Sequence, residues 1–287
     1  MSFDYVEATS VVEAVALMSE GQGEARFIAG GTDIVIQIRR HQQDPRRLIG
    51  IQSIEALKTI AIEDGRLVFG ALVTHKQIER DARFVGGLHG LVESAQVIGG
   101  HQVRNAGTIG GNICNASPAA DLLPILLALD AEVELVGSGS SRWQRLDDFL
   151  IGPGKTTRGP DEMLTRVRFA QLNARTATAF MKAGRRRAME ISVVSIAASL
   201  SLDDQRRCTD IRLSVGAAAP VPFRVREAEQ SLIGETLTEE RLGKAAAIAA
   251  SAATPITDVR ASADYRRRLI AALVPRTLRA CLMRIES

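Results

Sequence analysis

The stretch of this chain best suited to chemistry runs from Arg104 to Leu135, RNAGTIGGNICNASPAADLLPILLALDAEVEL. It sets Gly107, Gly110 and Gly111 beside Asn112 and Asn115, then Ser117-Pro118, Asp121 and an apolar, helix-like run. Glycine lets a ligand approach the main chain closely, and successive N–H groups with no side chains between them can converge on an anion. A helix after such a turn adds its positive N-terminal end. The pattern suits a phosphorylated ligand, although one glycine pair alone would be a turn between a strand and a core helix. A second glycine turn shifts the balance. Phe27-Ile28-Ala29-Gly30-Gly31-Thr32-Asp33-Ile34 leads from a short apolar strand into an alternating IVIQIRR run. Thr32 and Asp33 are suited to bonding free N–H groups at a turn. Two such turns could grip the two phosphates of one dinucleotide from opposite sides. Neither has the spacing G-x-G-x-x-G, and neither is followed by Gly-Lys-Ser/Thr. The expectation is a dinucleotide site on some other fold.

The elements that must position these turns can be read in order. Thr9 or Ser10 caps a helix whose apolar positions Val11, Val12, Val15, Leu17 and Met18 lie near one face, ending by Gly21. LIGIQSI, LKTIAIEDG and RLVFGALVT read as short strands, with a hairpin turn at Asp64-Gly65. Thr74 caps a helix over HKQIERDA, and helix continues towards Gly100. Ser117 with Pro118 reads as a helix start, but Pro124 would then break the ladder. A short turn from Ser117, followed by a helix with Pro124 in its first turn, reconciles the two. AEVELVG is a strand, and the loop GPGKTTRGPDE is a natural lid or domain edge. Lys155 in that loop could touch phosphates, though an exposed loop lysine is ordinarily solvated. MLTRVRFA alternates as a strand. The second part reads as three antiparallel strands, TATAFMKAG, ISVVSIAASLSL and DIRLSVGAAA, with a basic turn at Arg185–Arg187 and a hairpin at Asp203–Gln205. Helices follow at about 223–233, 238–252 and 262–285, the last expected to kink at Pro275.

Length and composition bound the function. The 287 residues exceed one typical domain, and 46% apolar residues suit a globular protein with a substantial core. A net charge of +3, no basic stripe and 4% aromatics argue against nucleic acid. Cys114, Cys208 and Cys281 form no C-x-x-C, so this chain is not expected to hold an iron–sulfur cluster or structural zinc. They form no disulfide framework either, which agrees with a reducing compartment. Cys114 reads as a small packing residue, since no neighbouring base would activate it. His41, His75, His89 and His101 show no metal-ligand spacing and read as surface or turn residues, with His101 best placed to approach a cofactor. The start of the chain lacks a basic stretch followed by an apolar core, and no run approaches membrane-span length. A cytoplasmic protein is expected.

AGGTDIVIQIRR and AGTIGGNICNASPAADLLPILLALDAEVEL, with AFMKAGRRRAMEISVVSIAASL and RASADYRRRLIAALVPR, resemble the FAD-binding (medium) subunits of the molybdenum hydroxylases. That family includes the medium subunits of carbon monoxide dehydrogenase-type enzymes and the flavin domain of xanthine dehydrogenase, and the likeness covers almost the whole chain. It implies an α+β fold: a PCMH-type, vanillyl-alcohol-oxidase-like FAD-binding domain of two α/β subdomains over 1–173, then a C-terminal domain over 174–287 with a three-stranded antiparallel sheet and helices. It also implies site residues. Phe27, Ile28, Ala29, Gly30, Gly31, Thr32, Asp33 and Ile34 match a first FAD loop, and Thr108, Ile109, Gly110, Gly111 and Asn112 a second, both near the pyrophosphate. Asp121 matches an aspartate near the adenosine portion, Leu164 an apolar pocket position, and Lys182 a lysine that contacts FAD. Ile98 stands where relatives are often aromatic. Some relatives place a tyrosine over the flavin ring, and neither Tyr5 nor Tyr265 stands at that position. The implied activity is electron transfer through non-covalent FAD. Electrons come from two [2Fe-2S] centres of a small subunit, a large molybdopterin subunit handles substrate, and NAD, a quinone or oxygen accepts. A dimer of heterotrimers is the implied assembly. No general base or nucleophile is expected, and Gly110 or Gly111 substitutions should lose FAD with the chain still folded. Two other readings stay open: a self-sufficient flavoenzyme with its own small substrate, and a non-catalytic nucleotide-binding scaffold.

Overall fold

A computed structural model describes residues 3–186 and 189–286. The N-terminal elements are β1 (Asp4–Glu7), α1 (Val11–Glu20), β2 (Ala25–Ile28), α2 (Ile34–Arg39) and β3 (Arg47–Gly50). The strands form a parallel sheet in the order β1-β3-β2, with β3 buried in the middle. Ser10 caps α1 by accepting from the Glu13 N–H. The IVIQIRR run is helical rather than extended. Ile34 and Ile38 are one helical turn apart as well as in strand alternation, so the spacing fits both periods, and only Ile38 is fully buried.

A second layer begins with β4 (Ile60–Glu63) and β5 (Arg66–Gly70), joined by Asp64 and Gly65, both at positive φ as the tightest hairpin turn requires. Then come α3 (His75–Arg80), α4 (His89–Gln96), α5 (His101–Ala106), α6 (Ile109–Asn115), α7 (Leu122–Ala128), β6 (Glu132–Gly137), β7 (Ser140–Arg145), α8 (Leu146–Phe149), β8 (Leu150–Gly152), β9 (Lys155–Thr156) and β10 (Met163–Ala170). The order β4-β5-β10-β6-β7 makes an antiparallel sheet, and β8-β9 make a small hairpin. Thr74 and Gln77 close a reciprocal capping box on α3. Ser117 does not cap a helix: its hydroxyl accepts from the Ala119 N–H within a turn, and α7 starts at Leu122. Pro124 falls in the first turn of α7, where a missing N–H costs no intrahelical bond.

The C-terminal part contains β11 (Thr176–Ala183), β12 (Val194–Leu202), β13 (Cys208–Gly216), β14 (Phe223–Arg224), α9 (Arg226–Gln230), α10 (Glu239–Ala252) and α11 (Ala263–Glu286). The three expected strands pair antiparallel, and the two-residue β14 adds a short fourth where helix was expected to begin. The α11 helix runs unbroken through Pro275. Every position of β12 is buried, since α7 and α11 both pack against it. Its small residues, such as Ala197, Ala198 and Ser199, allow that close approach.

The α7 helix ties the two parts together. All seven of its residues are buried, and its core also takes in Phe180 and Ala197 of the C-terminal sheet. The Ser214 hydroxyl donates to the Pro124 carbonyl, and the Ala217 N–H donates to the Pro118 carbonyl at 2.8 Å. Arg266 of α11 is 2% exposed and donates to the carbonyls of Val193 and Ala217 while pairing with Asp258 at 2.8 Å. No helix among the described residues is long and apolar enough to cross a membrane.

Candidate functional site

A cleft of about 560 Å³ opens where the parallel sheet, the α5–α6 segment and residues 189–191, just before β12 of the C-terminal part, meet. That volume lies within the range of about 300–1,000 Å³ usual for ligand pockets. Both glycine turns line it. Gly30 packs so tightly against the end of α5 that a Cβ there would sit 1.7 Å from the Ala106 carbonyl oxygen. Gly31 has φ +69°, a conformation glycine adopts without strain.

The two turns offer different chemistry. The N–H groups of Gly30, Gly31, Thr32 and Asp33 make no hydrogen bond to any described residue. Four consecutive free donors beside a cleft form a cradle for an anion. The second turn was expected to act in the same way, but its donors are spent within the protein. The Ile109 N–H donates to Val73 O, Gly110 to Ala71 O, Gly111 to Thr108 Oγ1 and Asn112 to Thr108 O. Those bonds make Thr108 the N-cap of α6, so this segment supplies a wall and side chains. Asn112 Oδ1 is buried there without a partner among the described residues. A buried polar atom left unpaired points to a missing ligand or water.

Of the residues expected at the site, Phe27, Ala29, Gly30, Gly31, Thr32, Asp33, Ile34, Ile98, Thr108, Gly110, Gly111, Asn112, Asp121 and Leu164 line the cleft. Ile28, Ile109 and Lys182 do not. Ile28 ends β2, and Ile109 is wholly buried beneath the cap of α6. Lys182 sits behind the wall. Its Nζ pairs with Asp121 Oδ2 at 2.8 Å and donates to Glu190 O at 2.9 Å and Val97 O at 3.3 Å, so its three donors are used. Asp121 also accepts from the Ser192 hydroxyl. Burial pushes its carboxyl above the usual range, against the pull of Lys182 and Ser192. Each oxygen keeps a lone pair, so the group can still accept from a ligand hydroxyl.

Several cleft residues had no distinct signal in the sequence. His75 was read as a surface or turn residue, yet it is 3% exposed and faces the cleft from under Gly107. Its Nδ1 is buried with no partner among the described residues. Burial, aided by Arg104, pushes its pKa down to about 4, so the ring is neutral at pH 7. His101 lies on the exposed side of α5 beside Arg104 and does not line the cleft. Asn115 donates to Asp33 at 3.1 Å and accepts from Gln37 at 3.0 Å, locking α2 to α6. Burial raises the Asp33 carboxyl above its ordinary value. Cys114 also lines the cleft, and burial pushes its thiol up to about 11, as suits an inert packing residue. From the GPGKTTRGPDE loop it is Arg158, not the exposed Lys155, that reaches the cleft. Arg185 and Arg186 fold onto the carboxylate of Glu190, at 3.7 and 3.3 Å. The third arginine of that turn, Arg187, lies outside the described residues.

A cleft walled by two glycine turns, with an anion cradle at one and apolar Ile98, Val103, Met189 and Ile191 elsewhere on its lining, suits a cofactor with an anionic portion and an apolar ring. Residues 1–171 match the family described as the FAD binding domain in molybdopterin dehydrogenase, and residues 179–281 match the CO dehydrogenase flavoprotein C-terminal domain. The chain belongs to this family of FAD-binding subunits of molybdopterin-dependent oxidoreductases. It is 33% identical to the 6-hydroxypseudooxynicotine dehydrogenase complex subunit alpha of Paenarthrobacter nicotinovorans, over 99% of this chain and 95% of the relative. It is 32% identical to the xanthine dehydrogenase FAD-binding subunit of Escherichia coli O157:H7, over 96% of this chain and 94% of the relative. Among solved structures, a chain of carbon monoxide dehydrogenase from Hydrogenophaga pseudoflava superposes with a TM-score of 0.95 at 29% identity, covering 99% of this chain and 98% of the other.

Proposed function

We propose that this chain carries FAD as the electron-transfer subunit of a heteromeric molybdenum hydroxylase. Electrons come from [2Fe-2S] clusters in a small partner subunit, and a large partner subunit holds the molybdopterin cofactor. The observation that carries the reading is the free-donor cradle at Gly30–Asp33, facing the cleft beside a wall that Gly107–Asn112 closes. When bound, FAD supplies the capacity to take electrons singly and release them as a pair.

The residues divide that work. The Gly30–Asp33 donors hold the diphosphate region and Asn112 Oδ1 accepts from a hydroxyl or N–H of the cofactor, with Phe27, Ala29, Ile34, Thr108, Gly110 and Gly111 shaping the walls. Asp121 accepts from a ribose hydroxyl, and Lys182 fixes its orientation from behind. Ile98, Val103, Met189 and Ile191 provide the apolar end for the ring, with Leu164 completing the pocket. Neutral His75 places no charge under it. The cofactor domain covers 1–173, and 174–287 is a second domain that closes the cleft and meets the partners. NAD, a quinone or oxygen is the acceptor, the assembly is a dimer of heterotrimers, and the location is cytoplasmic.

A tagged pull-down from the native host, with flavin and metal analysis, tests this. Iron, molybdenum and two further chains recovered with stoichiometric FAD are the expected result. A lone yellow protein that oxidises a small molecule would favour a self-sufficient flavoenzyme, and a colourless one would remove the cofactor assignment.

A further inference from the structure

The cleft lining carries Arg26, Asp33, Asp121, Arg158 and Glu190 as its ordinarily charged side chains. Asp121 is paired with Lys182, and Glu190 with Arg185 and Arg186. Neither cleft-lining arginine has a carboxylate at ion-pair distance among the described residues. Arg26 spends its Nε on Gln43 and its Nη1 on the carbonyls of Gly23 and Ala25. Arg158 differs. Only its Nη1 is used, donating to Glu162 O at 2.7 Å, Gly159 O at 3.1 Å and Pro160 O at 3.5 Å. Its Nε and Nη2 have no partner among the described residues. Three carbonyls thus fix the guanidinium while three of its five N–H donors, one on Nε and two on Nη2, stay unspent among the described residues.

The place of this group is as informative as its bonding. Its charge is felt at Cys114 of α6, next to the Asn115 that bonds Asp33 at the end of the free-donor cradle. The hairpin that carries it is anchored to the same helix end, since the Gly154 N–H donates to Ala116 O at 3.0 Å. A partly used, pre-oriented guanidinium is the group best matched to a phosphate oxygen.

We propose that Arg158 is a specificity-determining cofactor contact, in which its free Nε–H and Nη2–H donors bind the diphosphate of the adenylate half of FAD. It supplies the cation that neither glycine turn contains. The proposal rests on the FAD reading and adds that the cleft selects the full dinucleotide over flavins lacking the diphosphate.

The test uses the purified full chain stripped of flavin, titrated separately with FAD, ADP and riboflavin at low and high salt, with a thermal melt of each variant. Arg158→Gln should weaken FAD and ADP roughly 10- to 100-fold, the size of a lost charge-assisted hydrogen bond, and flatten the salt dependence. Riboflavin affinity should stay within about twofold of wild type. Arg158→Lys should keep the salt dependence while losing part of the affinity, because it keeps the charge and not the fork. A lower melting temperature with unchanged FAD affinity would mean that Arg158 only staples its loop, and would overturn the proposal. So would equal losses of FAD and riboflavin, or an Arg26→Gln variant that weakens FAD as much as Arg158→Gln. A wild-type chain that binds riboflavin but not FAD would overturn the FAD reading as well.

Discussion

Single residues in the cleft separate roles that the sequence presented as one. Gly110 and Gly111 look equivalent in TIGGN, and loss of FAD without unfolding was the expectation for both. A Cβ at Gly110 would meet backbone and side-chain atoms of Ala71 at 2.7–3.1 Å, inside the fold. A Cβ at Gly111 would meet only Thr108 Oγ1, at 3.0 Å, outside its own helix backbone, and Gly111 lines the cleft. Gly110→Ala should therefore destabilise by about 1–3 kcal/mol through overpacking. Gly111→Val should leave the melt near wild type and expel FAD. Urea titrations with flavin quantitation check both, and equal destabilisation would contradict the assignment. His75 gives a pH prediction. Its pKa falls from 6.5 to about 4 on burial, so below the higher value the unfolded chain binds a proton that the native ring refuses. Stability from this group is full above the unfolded pKa and is lost as pH falls towards the folded one, a change on the order of 3 kcal/mol. The wild-type protein should weaken more steeply than His75→Gln as pH falls through that window. Parallel unfolding curves for the two would contradict a buried, neutral ring.

Among the elements, α7 and β11 form the seam on which cleft geometry depends. Lys182 on β11 and Asp121 before α7 make an ion pair with side chains only 12% and 9% exposed. Removing one partner leaves a buried uncompensated charge, so Lys182→Met should cost roughly 3–5 kcal/mol. Adding Asp121→Asn should recover much of that loss, because the stranded charge goes with it. A chemical-denaturation double-mutant cycle reads this directly, and additive losses would show that the pair is uncoupled. The same elements show what the chain made legible. The Asp64-Gly65 hairpin, the Thr74 cap and the delayed start of α7 around Pro124 followed from local backbone chemistry. The helix over Ile34–Arg39 did not, because its isoleucines satisfy periods of two and 3.6 alike. Nor did the places of His75, Arg158 and Lys182, which depend on what the tertiary fold lays over them. The long glycine motif marked its stretch as a site, but not that its own N–H groups would be spent on Val73, Ala71 and Thr108.

At the scale of the whole molecule, the fold is a cofactor holder. Three sheets and α7 fix one cleft, and the proposed chemistry needs electrons delivered from outside the chain. The direct measurement of that claim is rapid-mixing spectroscopy of the assembled complex and of the isolated flavin-loaded chain, each given the complex's substrate. Flavin bleaching in the complex, following iron–sulfur bleaching, with no bleaching in the isolated chain, is the predicted result. Flavin reduction by substrate in the isolated chain would contradict it.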